Sequence, residues 1–167
     1  MMSSQPLVLE KHFSTLKETI AFAHRLASVL CVADIVTLSG TLGAGKTEFI
    51  RAILRSIIEP TLEVPSPTFN LLLTYDIPEK EVTIYHYDLY RIELPEEVLE
   101  LDIDDAFDHG ITLIEWADRM GSFLPETHLD INLTADADKG EEYRIISLRG
   151  DKAWQERLSF LSAGQNA

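Results

Sequence analysis

The chain reads as an α/β domain in which a mainly parallel sheet is flanked by helices and carries antiparallel edge strands. Three observations support this reading. Strand-like apolar runs alternate with helix-period segments through the first half of the chain. A glycine-rich octapeptide at residues 40–47 joins one such strand to one such helix. The second half holds extended segments joined by short polar connections, as hairpins require. The 167 residues suit one domain, 1–167, and 46% apolar with 25% charged residues is the balance of a soluble globular protein.

The first helix spans residues 14–30. Thr15 and Glu18 have capping-box spacing, and Leu16, Ile20, Ala23, Ala27 and Leu30 fall on one face. Residues 34–39 form a short strand ending at Gly40, and residues 46–58 form a helix. In that helix Phe49, Ile50, Ile53, Leu54, Ile57 and Ile58 are apolar, with Glu48, Arg51, Arg55 and Glu59 between them. Pro60, Pro65 and Pro67 break the chain into a loop. Residues 69–75 and 82–87 are extended, with Ile77 to Lys80 as their hairpin connection. Residues 95–107 suit an acidic helix opened by Pro95. Residues 111–115 are an apolar strand ending in a carboxylate, and strands 129–133 and 143–148 pair. A short helix carrying Trp154, Leu158 and Leu161 closes the chain.

Composition excludes several classes of function. No run of eighteen apolar residues exists to span a membrane. The N-terminus lacks a basic stretch followed by an apolar one, so no signal peptide is expected and the expected compartment is the cytoplasm. The single cysteine, Cys31, sits in an apolar stretch and reads as a small core residue in a reducing compartment. Five scattered histidines give no structural zinc spacing. The formal charge is -14, and residues 76–108 hold twelve carboxylates against two bases, a net of -10. Such a surface repels phosphate backbones, so direct nucleic-acid binding is not expected. The acidic span is either a solvated face or a docking surface for a basic partner.

The chemistry is carried by Gly40-Thr41-Leu42-Gly43-Ala44-Gly45-Lys46-Thr47, which matches the G-x-x-x-x-G-K-[ST] phosphate loop. Its glycines let backbone N–H groups converge on one anion, and the helix starting at Lys46 adds its positive dipole end. In this pattern Lys46 reaches the β- and γ-phosphates, and the Thr47 hydroxyl is a Mg²⁺ ligand. With an apolar strand before it and an amphipathic helix after it, the loop points to the P-loop NTPase fold. That fold needs an acid at the end of a neighbouring strand, and Glu115 after Ile111-Thr112-Leu113-Ile114 is the candidate second Mg²⁺ ligand. The alternative for Glu115 is a surface residue at a strand end. Asp88, near the end of its strand, could orient a water or hold a Mg²⁺-bound one; the alternative is a turn cap. His86 in the same strand reads as a satisfied core residue, and Trp116 as core. Arg91 is either structural or a cation for transition-state charge. No Asn-Lys-x-Asp guanine reader occurs, which favours ATP.

Taken together, Gly43 to Thr47, Ser66-Pro67-Thr68-Phe69, His86-Tyr87-Asp88-Leu89-Tyr90-Arg91 and Ile114-Glu115-Trp116 resemble the bacterial TsaE (YjeE) family, in order and spacing, from about residue 8 to 150. The resemblance implies a small P-loop ATPase serving the biosynthesis of threonylcarbamoyladenosine in tRNA, with TsaD and TsaB as partners. It implies that Lys46 and Thr47 hold phosphate and Mg²⁺, that Glu115 is the Mg²⁺ carboxylate and that Asp88 is needed for hydrolysis. It also implies that Trp116 lies beside the nucleotide, that Thr68 senses the γ-phosphate or Mg²⁺, and that the segment from His12 to Thr15 lies near the adenine. Two departures stand out: Thr41 replaces the family's usual Asp, and Glu48 its frequent Thr. A small-molecule P-loop kinase and a nucleotide-dependent binding module without turnover are the alternatives. The first is disfavoured by the scarcity of basic residues for an acceptor and a lid.

Overall fold

The computed structural model describes residues 4–65 and 69–162. Its strands are β1 (Leu7–Phe13), β2 (Ile35–Gly40), β3 (Leu72–Ile77), β4 (Val82–Asp88), β5 (Ile111–Glu115), β6 (Leu129–Ala135) and β7 (Arg144–Arg149). They form one seven-stranded sheet in the order β1-β7-β6-β2-β5-β4-β3. The centre, β6-β2-β5-β4, is parallel. β1, β7 and β3 join it antiparallel. The helices are α1 (Leu16–Ala27), α2 (Lys46–Ile57), α3 (Ile103–His109), α4 (Lys152–Arg157) and α5 (Ser159–Ser162).

Strand alternation sorts side chains onto the two faces of the sheet. Val36, Leu38, Ile84, Ile111, Leu113, Leu129, Ile131 and Leu133 pack with α1, α2 and the Trp154, Leu158 and Leu161 side chains of the closing helices. Ile35, Tyr85, Tyr87 and Ile114 point the other way, onto Val98, Ile103, Ala106 and Met120. Both faces of the parallel centre are therefore covered, which is why β5 is buried at every position. At the start of α1 the capping box forms: the Thr15 hydroxyl accepts the Glu18 N–H and the Glu18 carboxylate accepts the Thr15 N–H.

Four features differ from the expectations drawn from sequence. The sequence pattern marks no strand before α1; the half-buried residues of β1 acquire strand geometry by pairing with β7. The acidic stretch is not one helix but a 3₁₀ segment, Pro95–Glu100, followed by α3, with Asp102 between them in the left-handed region at φ 54°. The break has a packing cause. Val98 and Ile103 are both buried against the same cluster, yet five residues apart on a continuous helix they would point about 140° from each other. Cys31 is exposed rather than in the core, because it lies in the turn between α1 and β2. The closing helix is two short helices, α4 and α5. In the acidic span Glu93, Glu96, Glu97, Glu100, Asp102, Asp104, Asp105 and Asp108 are exposed, so its charge is solvated. Among the described residues no helix is long and apolar enough to cross a membrane.

Candidate functional site

The loop between β2 and α2 is shaped by its glycines. Gly43 (φ 79°) and Gly45 (φ 98°) lie in the left-handed region, where a side chain adds strain. A Cβ on Gly43 would meet nothing within 4 Å, so the loop's crest is open on that side. Gly45 caps α2 without a side-chain hydrogen bond, leaving the first N–H groups of a 12-residue helix available to an anion. Leu42 and Thr41 stand exposed at the tip, and Ala44 is buried beneath them. The Lys46 ammonium donates to the Gly40 carbonyl at 2.9 Å, which folds it back over the loop.

The acids arrive from β4 and β5. These strands run parallel in the register His86 to Leu113 and Asp88 to Glu115. Asp88 and Glu115 thus end their strands side by side, on the sheet face that carries α2. The Thr47 hydroxyl, in the first turn of α2, is 3.5 Å from Glu115 Oε1 and donates to it. The other carboxylate oxygen of Glu115, Oε2, is 2.9 Å from Nε2 of His86, whose side chain is fully buried. Asp88 is 6% exposed, and its Oδ1 accepts the Tyr90 N–H at 3.1 Å. Trp116 follows Glu115 in a left-handed conformation (φ 60°) and is half-buried rather than core. Its ring lies 5.3 Å from the Lys46 ammonium and 4.9 Å from the Tyr90 ring.

Lys46, Thr47, Glu115, Trp116 and Asp88 are therefore gathered around one loop, as their sequence pattern suggests. Thr68 lies outside the described residues. His12 does not join the group: its ring bonds the Tyr143 hydroxyl at 2.9 Å and Glu10 at 3.1 Å. The part of the chain that does reach the loop is the start of α1. Leu16, Thr19 and Ile20 line a cavity of about 220 Å³ with Gly43, Ala44, Gly45, Phe49 and Arg144. Glu48 pairs with Arg51 one turn along α2. Arg91 lies over the exposed Phe69 ring, 4.7 Å from its centre.

Sequence reasoning missed two residues of this site. Arg144 of β7 donates to the Ala44 carbonyl at 2.8 Å and so braces the loop from a hundred residues away. No local pattern marks it. His86 is core, as its apolar strand suggests, but its i, i+2 spacing from Asp88 also places both on one face.

The donor set fits a hard divalent cation held mainly by water and phosphate. Thr47 and Glu115 supply two adjacent oxygens, which is what Mg²⁺ takes from protein in phosphate sites. Among the described residues no three or more His, Cys, Asp or Glu cluster to hold a metal ion.

Known proteins resemble the chain over most of its length. Residues 13–145 match the family model described as threonylcarbamoyl adenosine biosynthesis protein TsaE. The chain is 41% identical over 140 residues to the tRNA threonylcarbamoyladenosine biosynthesis protein TsaE of Rickettsia bellii, covering 83% of this chain and 92% of that one. It is 38% identical over 134 residues to the Haemophilus influenzae protein of the same name, covering 79% and 83%. The crystal structure of Bacillus subtilis YdiB superposes with a TM-score of 0.72 at 26% identity over 99% of both chains. With the matched segment spanning the loop, both acids and most of the sheet, the chain belongs to the TsaE family of threonylcarbamoyladenosine biosynthesis proteins.

Proposed function

We propose that this protein is a Mg²⁺-dependent ATPase, slow on its own, that supports a TsaD–TsaB complex in threonylcarbamoyladenosine modification of tRNA. The observation that carries the reading is the approach of the Thr47 hydroxyl to Glu115 beneath a glycine loop crowned by Lys46. Bound Mg²⁺ would neutralise charge on the phosphates. The chain's own groups then have distinct tasks. Loop N–H groups from Gly40 to Thr47 hold the β-phosphate region, and Lys46 exchanges the Gly40 carbonyl for a phosphate oxygen. Thr47 and Glu115 hold the cation. Asp88, beside Glu115 at the strand ends, orients the attacking water by accepting its proton. Trp116 shields the Lys46 side of the site.

Lys46 is the cation that the loop pattern directs at the phosphates, while Arg144 is engaged with the Ala44 carbonyl, and P-loop enzymes without an arginine on the transferring group are slow. Turnover by the isolated chain on the order of 10⁻² s⁻¹ or less follows, with a partner supplying the remainder. The exposed acids Glu93, Glu96, Glu97 and Glu100, close in sequence to Asp88, suit a basic docking surface on that partner. This arrangement keeps the acidic subunit itself off the RNA.

The test is ADP release with and without TsaB and TsaD at two salt concentrations, alongside calorimetric titration with ATP–Mg²⁺. Lys46→Ala should lose binding and turnover. Asp88→Asn should bind ATP but hydrolyse it roughly a hundredfold more slowly. Partner stimulation should weaken with salt. Wild-type behaviour in Lys46→Ala removes the proposal, and a phosphorylated small-molecule acceptor in place of free phosphate would make the protein a kinase instead.

A further inference from the structure

We propose that His86 is a positioning residue that fixes the Glu115 carboxylate so that one oxygen is presented to the Thr47 side of the loop; this rests on the Mg²⁺ reading above. The side chain is 0% exposed in the middle of β4. Its neighbours across the sheet are Leu73 on β3 and Leu113 on β5. An apolar residue would suit this slot better, because a buried polar group without a partner costs about 1–3 kcal/mol. Yet the ring is only half satisfied. Nδ1 has no hydrogen-bond partner among the described residues, and the polar contact the ring does make is Nε2 to Glu115 Oε2 at 2.9 Å. The chemistry retained at this position is therefore directed at one carboxylate oxygen.

The geometry gives that contact a consequence. Glu115 holds Oε2 against His86 and turns Oε1 toward Thr47, 3.5 Å away. Both anchors sit on rigid elements, the ring on an interior strand and the hydroxyl in the first turn of α2. Without the Nε2–H donor the carboxylate is free to rotate about its terminal torsion, and the two oxygens lose their separate tasks. Partners of this kind, one step behind a metal ligand, typically contribute 10- to 100-fold in metal affinity.

The test compares two variants of the full chain. His86→Phe keeps bulk but removes the donor; His86→Gln carries an amide N–H near the position of Nε2. Mn²⁺ is titrated into the ADP complex and followed by electron paramagnetic resonance, with urea denaturation checking that each variant is folded. His86→Phe should weaken Mn²⁺ by 10- to 100-fold while metal-free ADP affinity stays within about threefold, and His86→Gln should recover most of the loss. Equal loss in both variants, or unchanged Mn²⁺ affinity in His86→Phe, overturns the assignment while leaving the nucleotide reading in place. A wild-type protein that binds no Mn²⁺ with ADP sinks the nucleotide reading and this inference with it. If His86→Phe does not fold, a measurement on the unliganded wild type decides. Long-range ¹H–¹⁵N spectra should show His86 protonated at Nε2 and perturbed by Glu115→Gln; the Nδ1–H tautomer would overturn the proposal.

Discussion

Replacing Gly40 by alanine tests whether the loop is anchored where the geometry says. Gly40 ends β2 at φ 143°, paired with Leu133 of β6. A Cβ built there would lie 2.1 Å from the Leu133 carbonyl oxygen, whereas ordinary contact begins near 3.4 Å. The strands would have to part by the difference, about 1.3 Å, and the obstacle is backbone rather than a movable side chain. Three costs combine: about 1–2 kcal/mol for a side chain in the left-handed region, about 1 kcal/mol for a weakened ladder bond, and about 1–3 kcal/mol for overpacking. Together they come to roughly 3–6 kcal/mol, a large share of the 5–15 kcal/mol that holds a domain folded. Urea denaturation and thermal melting provide the assay, with a fall in Tm of roughly 10 °C expected. Gly43→Ala is the internal control, since it also has positive φ but meets nothing within 4 Å, and it should cost only about 1–2 kcal/mol. If the two variants lose stability to within 1 kcal/mol of each other, the close approach of β6 is not what requires glycine at position 40, and the reasoning fails.

Three further predictions follow from side-chain geometry. Because the Trp116 ring lies 5.3 Å from the Lys46 ammonium, ADP or ATP should change tryptophan fluorescence, and Trp116→Phe should remove most of that change. Trp154, buried beneath Arg157 at 4.1 Å, is the built-in control; a signal lost with Trp154→Phe instead would contradict the site. Arg157 grips Asp34 through two nitrogens at 2.8 and 2.6 Å, so Arg157→Met should cost about 2 kcal/mol in urea unfolding by leaving a buried carboxylate underpaired. Asp34→Asn in the same chain should cancel part of that loss, and purely additive costs would mean the pair is not coupled. Burial, and then its bond to Asp105, pushes the Tyr85 phenol up to about 12. The folded protein therefore holds a proton that the unfolded chain releases near pH 10, so this contribution is complete below pH 10 and lost as pH rises toward 12. Tyr85→Phe should flatten the decline of stability over that window, and an unchanged slope would refute the assignment.

Much of the site is legible in the chain itself because it is local. Residues 40–47 form a contiguous loop whose conformation depends on glycine spacing and on the strand and helix that flank it. Glu115 is visible as the acid that ends an apolar pentapeptide, and the α1 start as a capping box of adjacent residues. Each of these is dictated by period, by a cap or by backbone freedom within a few residues.

The remainder was decided by how strands stack. His86 and Glu115 are 29 positions apart and Thr47 and Glu115 are 68 apart, so their contacts exist only once β4, β5 and β2 lie in parallel order. That order follows from burying both faces of the sheet at once, a condition no single segment expresses. The same condition turns Asp102 into the left-handed region so that Val98 and Ile103 can share a cluster, and makes a strand of residues 7–13 by offering them an edge. It also leaves Cys31 outside and brings Arg144 under the loop. The chain alone determined the class of the protein and marked its glycine loop, Lys46 and the acid that ends β5; the packed sheet determined which oxygen of Glu115 faces Thr47, and which buried ring holds the other one.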